Sequence, residues 1–372
     1  MKGTNFNIPV NKPRVLLAPL DWGLGHATRC IPIISTLQQQ NCTVIVAAEA
    51  ALKFLLQKEF PNLFFIELKG YRMQYSRNGF WLPVKLLLQF PKLLHRIYAE
   101  NRWLQKVVAE HKIDAVIADN RLGLSHKKIH CVYITHQLNI KTGNLFTDKI
   151  TQSIHYHFIN KFNSCWVPDA EGKINLAGAL SHPAVLPKTT VVYLGPLSRF
   201  EKGGNDINYD LCILLSGPEP QRSIFEHLIL KELKNYTGKV FFVRGLPGDL
   251  PEIEFNKSTT IIKNHLPAAD LNRLILQSKM IICRSGYTTV MDLVKLQKKA
   301  ILVPTPGQTE QEYLAGYLQE QQLFCAQQQA CFSLQDAMEK AATFPFRDID
   351  FPQHDYKKAV DDLVLNILEK DQ

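Results

Sequence analysis

Three short stretches hold residues whose types and spacing can do chemistry. The first is Gly23-Leu24-Gly25-His26-Ala27-Thr28-Arg29. Glycines at Gly23 and Gly25 let a backbone come close to a ligand. An imidazole directly behind them can take up a proton near neutral pH or hydrogen-bond an anion. A lone histidine is more often structural, but behind a glycine-rich turn His26 reads better as functional, with Asp21 in the same loop as the competing base. The second stretch is Cys283-Arg284-Ser285-Gly286-Tyr287-Thr288-Thr289-Val290-Met291-Asp292. A helix opening at Ser285-Gly286 would point its free amides at an anion. Asp292, about two turns on, would accept hydrogen bonds from vicinal hydroxyls, as acidic residues do in nucleotide sites. The third runs Val303-Pro304-Thr305-Pro306-Gly307-Gln308-Thr309-Glu310-Gln311-Glu312. Its amides and carboxylates suit the hydroxyls of a sugar, or are simply an exposed helix start; the two readings are evenly matched.

Other polar clusters sit directly after apolar runs. Asp119-Asn120-Arg121 follows Ala115–Ala118, and His136-Gln137 follows Cys131–Thr135. Each either faces a second substrate or caps local backbone, and the first reading is slightly favoured. Ser216-Gly217 follows Leu211–Leu215, but Pro218 and Pro220 have no N–H to offer an anion. His155 and His157 resemble a metal pair only superficially, since no carboxylate or third ligand accompanies them. No metal site is expected.

Those residues must be positioned by strands and helices, and the pattern of both is legible. Arg14–Pro19 reads as a buried strand, Ile31–Gln40 as a helix, and Cys42–Ala47 as a second strand. Strand, glycine turn, helix and strand make a βαβ unit, which implies a parallel sheet. Leu63–Leu68, Ala115–Ala118, Cys131–Thr135, Ser164–Val167 and Val191–Leu194 continue the series. The pattern restarts with the strand Leu211–Leu215, the helix Phe225–Lys234 and the strand Val240–Val243, followed by Thr259–Ile262, Met280–Cys283 and Ala300–Val303. The polar stretch Arg199–Asn208 reads as the linker. The expected architecture is therefore α/β, with Rossmann-like domains over 1–198 and 199–346. A C-terminal helix within 347–372 is expected to pack back on the first domain. Ligands of open α/β sheets bind beyond the carboxyl ends of the strands, so two such domains would enclose a central cleft.

Composition narrows the classes. The 372 residues are 46% hydrophobic and 21% charged, which suits a soluble globular chain of two domains. The first twenty residues lack the apolar core of an export signal, so a cytoplasmic protein is expected. No apolar run reaches the roughly 20 residues that span a bilayer. Eight cysteines occur without a C-x-x-C pair, and buried reduced thiols are the better reading. A net charge of +9 is compatible with phosphorylated small molecules or anionic lipid, while the absence of a finger or dense basic stripe makes nucleic acid the weakest partner.

The run from Thr260 to Ala326 resembles the C-terminal domain of glycosyltransferase family 28, on the tract C-R-S-G-x-x-T-V-x-[DE] followed by Val-Pro and a Gln-rich helix start. The resemblance, to the MurG-like members above all, implies a GT-B fold, an inverting transfer from a nucleotide sugar (UDP in that group) and no cofactor or essential metal. It implies that Ser285, Gly286, Tyr287, Thr288 and Thr289 hold the α-phosphate, that Asp292 meets the ribose, and that Gln308, Gln311 and Glu312 lie at the donor sugar. It makes Arg199, in Gly195-Pro196-Leu197-Ser198-Arg199, a diphosphate ligand, and it places Ser216 and Gly217 at the family's second glycine loop. Gly23 and Gly25 become the N-terminal glycine loop, with His26 or Asp21 as base, while Asp119, Asn120, Arg121, His136 and Gln137 face the acceptor.

The mixed aromatic, aliphatic and basic stretch Phe80–Arg96 reads either as a membrane-surface face or as a core-packing helical region. The membrane reading would suit a lipid-linked or cell-envelope acceptor. Two rival functions remain open. A UDP-sugar hydrolase of the same fold shares the G-x-G-H-x-x-R loop, and a non-catalytic sugar-nucleotide-binding protein would keep the fold without the chemistry.

Overall fold

A computed structural model of the chain describes residues 12–21, 23–71, 82–141, 144–204, 206–246, 250–348, 351 and 356–369, with the side chains of 50, 51, 82–90 and 145 left out of the description. The first domain contains β1 (Arg14–Pro19), α1 (Leu24–Gln39), β2 (Thr43–Ala47), α2 (Ala50–Glu59), β3 (Phe64–Ile66), α3 (Leu82–His111), β4 (Ala115–Asp119), β5 (His130–Ile134), α4 (Leu145–Ile159), β6 (Ser164–Val167) and β7 (Thr190–Tyr193). The second contains β8 (Tyr209–Leu214), α5 (Gln221–Leu233), β9 (Val240–Val243), β10 (Thr260–Lys263), α6 (Ala268–Leu276), β11 (Ser278–Cys283), α7 (Tyr287–Lys295), β12 (Ala300–Leu302), α8 (Thr309–Glu320), β13 (Cys325–Ala326) and α9 (Leu334–Thr343). The helix α10 (Tyr356–Leu368) follows.

Both sheets are parallel, in the orders β3-β2-β1-β4-β5-β6-β7 and β10-β9-β8-β11-β12-β13. Helices cover both faces, so strands at the centre of the first sheet, β1, β4 and β5, are buried almost throughout rather than alternating. In β1, Val15 and Leu17 enter one apolar cluster while Leu16 and Ala18 enter the other. In each sheet the strand order reverses next to the first strand. That reversal opens a crevice between β1 and β4 in one domain and between β8 and β11 in the other.

The helix expected at Ile31–Gln40 begins seven residues earlier, at Leu24. The left-handed backbone falls on Gly23 (φ 102°), so the chain turns there and Gly25 is already helical. His26 and Arg29 thereby stand at i and i+3 on one helix face. The helix expected at Phe225–Lys234 likewise opens earlier, at Gln221, directly after Pro220. The two-residue strand β13 had no readable sequence pattern.

The two domains share an apolar cluster that includes Ala27 and Ile31 of α1 and Tyr287, Val290 and Met291 of α7. Polar contacts cross the same boundary. Tyr287 Oη donates to Pro168 O at 2.8 Å, Thr309 Oγ1 to Lys141 O at 3.1 Å, and the Ala179 amide to Tyr313 Oη at 2.7 Å. The helix α10 buries Val360, Leu363 and Ile367 in that cluster, and Gln40 Nε2 donates to Asp361 Oδ1 at 2.7 Å. Among the described residues no helix is long and apolar enough to cross a membrane.

Candidate active site

The end of β1 and the end of β4 lie side by side, with Pro19 opposite Asp119 in register. The chain leaves β1 through the Gly23 turn into α1, which carries His26 back over the strand ends. His26 Nδ1 lies 3.0 Å from Asp119 Oδ2. A carboxylate only accepts, so Nδ1 holds the proton and Nε2 keeps its lone pair. Among the described residues Nε2 has no protein partner, and the side chain is 15% exposed. Burial lowers the basicity of His26; Asp119 opposes that effect and Arg29 adds to it. The imidazole is thus neutral at neutral pH and available as a base.

Asp119 was expected to face an acceptor, but its carboxylate is fully buried. Arg29 grips it with both prongs, through Nε at 2.9 Å and through Nη2 on the other oxygen. Burial alone would raise this carboxyl, but Arg29 and His26 hold it well below the usual carboxylate range. Asp119 orients His26 and carries a permanent charge beneath it. Sequence reasoning placed Arg29 at the end of the G-x-G-H-x-x-R loop but gave it no role of its own. Its signal was the His-x-x-Arg spacing, which has meaning only once the helix starts at Leu24.

Arg121 also departs from expectation. It is fully buried, donating to Glu100 Oε1 at 2.6 Å and to the carbonyls of Pro19 and Lys69. A guanidinium paired in this way supports the loop and offers no face to a substrate. Its remaining neighbour is Asp21, 4.0 Å away, which accepts from the Tyr71 amide at 3.3 Å. Asn120 takes a left-handed backbone (φ 53°) and accepts from Tyr133 Oη at 3.3 Å. His136 stacks on Tyr287 with ring centres 4.1 Å apart, and its Nε2 lies 2.7 Å from Glu310 Oε1. The Gln137 amide donates to Thr135 Oγ1 at 3.0 Å. Among the acceptor candidates, Asn120 and Gln137 are half-exposed where the strand ends open.

In the second domain, β11 delivers Ser285-Gly286 to the opening of α7. The first amide there with an acceptor is that of Val290, to Gly286 O at 3.0 Å. Among the described residues the amides of Tyr287, Thr288 and Thr289 have none, which makes this end of the helix an anion cradle. A Cβ built at Gly286 meets open space. Thr288 Oγ1 donates to Gly25 O at 3.2 Å, and a Cβ at Gly25 would come within 2.9 Å of that hydroxyl. The two glycine turns of the two domains therefore abut.

Several side chains expected at the donor are committed elsewhere. Ser285 Oγ donates to Gln311 O at 2.8 Å, and the ring of Tyr287 is buried between the domains. Gln311 Oε1 accepts from the Thr305 amide and Glu312 Oε1 from the Gly307 amide, both at 2.9 Å. These two carboxamide and carboxylate groups brace their own loop. Gln308 stands at the N-cap position of α8 without a side-chain capping bond, and its backbone N–H donates to Thr305 O at 3.1 Å. Ser216 and Gly217 are exposed, with Gly217 at φ 105°. Asp292 Oδ1 accepts from Ser198 Oγ at 2.5 Å, and burial pushes its carboxyl up to about 7. Arg199 is nearly buried, 3.9 Å from Glu59, and its Nε has no partner. His155 is buried against Tyr133, and among the described residues no group of three His, Cys, Asp or Glu side chains could hold a metal ion.

Comparison with known proteins bears on this arrangement. Residues 226–359 match the glycosyltransferase family 28 C-terminal domain. The chain is a glycosyltransferase whose second domain matches the family 28 C-terminal domain. It is similar to the UDP-N-acetylglucosamine–N-acetylmuramyl-(pentapeptide) pyrophosphoryl-undecaprenol N-acetylglucosamine transferase of Haemophilus influenzae, with 25% identity over 322 residues and 80% of each chain covered. Among solved structures, the calicheamicin glycosyltransferase CalG4 superposes with a TM-score of 0.63 at 12% identity, covering 97% of this chain and 95% of that one. Acinetobacter baumannii MurG gives 0.53 at 15% identity, with 96% and 95% covered. The fold of this glycosyltransferase is accordingly GT-B, with its two crevices meeting at the abutting glycine turns.

Proposed function

We propose that the enzyme transfers a sugar from UDP to an acceptor hydroxyl, with inversion at the anomeric carbon. The observation that carries this reading is the contact of Gly25, next to the Asp119-backed His26, with Thr288 at the start of α7, where the amides are free. His26 Nε2 takes the acceptor proton as its oxygen attacks the anomeric carbon. The sugar–phosphate bond breaks on the opposite side, and the departing diphosphate gathers charge against the α7 amides and Arg199. Asp292, held by the Ser198 hydroxyl that donates to its Oδ1, is the acceptor for a ribose hydroxyl. Among the relatives, the transferase of H. influenzae is named for a UDP donor and a lipid-linked acceptor. A lipid-linked acceptor is therefore the proposed one here, met at a membrane surface through residues 80–96. Of that segment, 80–81 lie outside the described residues and 82–90 are described only as backbone.

Calorimetry with UDP tests the donor assignment. Wild type should bind, and Gly286→Trp should lose at least tenfold in affinity while melting within a few degrees of wild type, because its side chain projects into open space. Equal affinity in the two proteins would remove the assignment. Release of free sugar from UDP-sugar at the same rate with and without any acceptor would favour hydrolysis over transfer.

A further inference from the structure

The His26–Asp119 pair is connected to the donor domain by a chain of side chains that simple positioning of a base does not require. Arg29, besides gripping Asp119, lies with Nη1 3.3 Å from His136 Nδ1. A guanidinium only donates, so Nδ1 accepts and the proton sits on Nε2. That Nε2 faces Glu310 Oε1 at 2.7 Å, from the first turn of α8. His136 is thus held in one tautomer by groups from opposite domains, and its ring lies flat on Tyr287 at an interplanar angle of 7°.

The charges explain what this connection does. Arg29 and Asp119 are a matched buried pair, so Arg29 cancels much of the pull that Asp119 exerts on a proton at His26. Glu310 adds a second negative charge to the cluster and engages Arg29 through His136. Burial works to raise the Glu310 carboxyl, but His136 beside it holds it below its ordinary range, so it carries that charge at neutral pH. The groups facing this cluster are His26, Arg29 and Cys30 from α1, Asp119 from β4, Tyr133 from β5, His136 after it, Tyr287 from α7 and Glu310 from α8.

Resting on the reading of His26 as the base, we propose that Glu310 is a positioning residue through which the donor domain controls that base, acting across His136 and Arg29. With the donor domain in contact, as here, the cluster has one more carboxylate than guanidinium, and His26 can accept a proton without creating an unbalanced buried cation. With the contact broken, Arg29 neutralises Asp119 alone and His26 is a weaker base.

Histidine-ring NMR titration of the full-length protein, with and without saturating UDP, tests this without any turnover. The His26 signals are assigned by their loss in His26→Gln. In Glu310→Gln the His26 midpoint should move to lower pH by roughly half a pH unit or more. Glu312→Gln, a neighbouring carboxylate that braces its own loop, should move it clearly less. In a His136→Phe background, which keeps the stack on Tyr287, the effect of Glu310→Gln should shrink. An unmoved His26 midpoint in Glu310→Gln, or an equal shift in Glu312→Gln, overturns the proposal. A fully active His26→Ala would instead remove the assignment of the base, so the two failures are distinguishable.

Discussion

At the scale of single residues, the site depends on a buried carboxylate whose charge is used twice. Asp119 fixes the His26 tautomer through one oxygen and neutralises Arg29 through both. Asp119→Asn keeps the shape and removes the charge. An amide can donate to Nδ1, which would place the imidazole proton on Nε2, where the base must be empty. Transfer should fall by up to about 10⁴-fold, the drop seen when the Asp–His pair of a catalytic triad is broken this way. Leaving Arg29 buried without its partner should also cost about 3–5 kcal/mol of stability. Steady-state rates and urea denaturation measure the two losses. A variant that keeps wild-type transfer would show that His26 does not act through Asp119. His26 and His155 differ in both partner and burial: His26 is paired with Asp119, His155 with Tyr133. His155 is buried beside Tyr133 with its basicity lowered to about 4, so it cannot exchange protons with a substrate.

At the scale of elements, α7 presents free amides at its start and Asp292 on its flank, against the interdomain segment that carries Ser198 and Arg199. Burial raises the Asp292 carboxyl from 3.8 to about 7, with Ser198 and Arg199 opposing. A carboxyl whose folded value lies above its unfolded value favours the folded state fully only below the unfolded value. That contribution is lost as pH rises through about 7. Thermal melts should therefore show stability falling between about pH 4 and 7, and Asp292→Asn should flatten that fall, by at most about 4 kcal/mol. Identical pH profiles for the two proteins would mean that Asp292 is ionised in the fold. UDP bound beside the segment should add stability in both proteins, since a ligand of the native state alone raises the unfolding free energy.

At the scale of the whole molecule, the last helix is part of the first domain's packing although it follows the second domain in sequence. The helix α10 packs on α1, whose opposite end holds His26. Val360, Leu363 and Ile367 are each almost fully buried, and removing such side chains costs about 1.5–3 kcal/mol apiece. A chain ending after Phe351 should unfold at a markedly lower urea concentration. If the truncated chain keeps the wild-type midpoint, α10 contributes nothing to the first domain.

Local patterning was enough to determine the repeated strand–turn–helix units, the two parallel sheets and the glycine turns at their switch points. Each of those follows from apolar runs, glycines and period over fewer than about twenty residues. The tract from Cys283 to Asp292 also carried the family resemblance by itself. What only the tertiary structure decided is which polar side chain meets which. Asp119 and Arg29 are ninety positions apart, and His136 and Glu310 belong to different domains. Whether a strand-end carboxylate faces solvent or a buried guanidinium depends on its neighbour across the sheet, which no local pattern encodes. The same holds for Gln311 and Glu312, whose types suited a sugar but whose side chains reach back to the amides of Thr305 and Gly307.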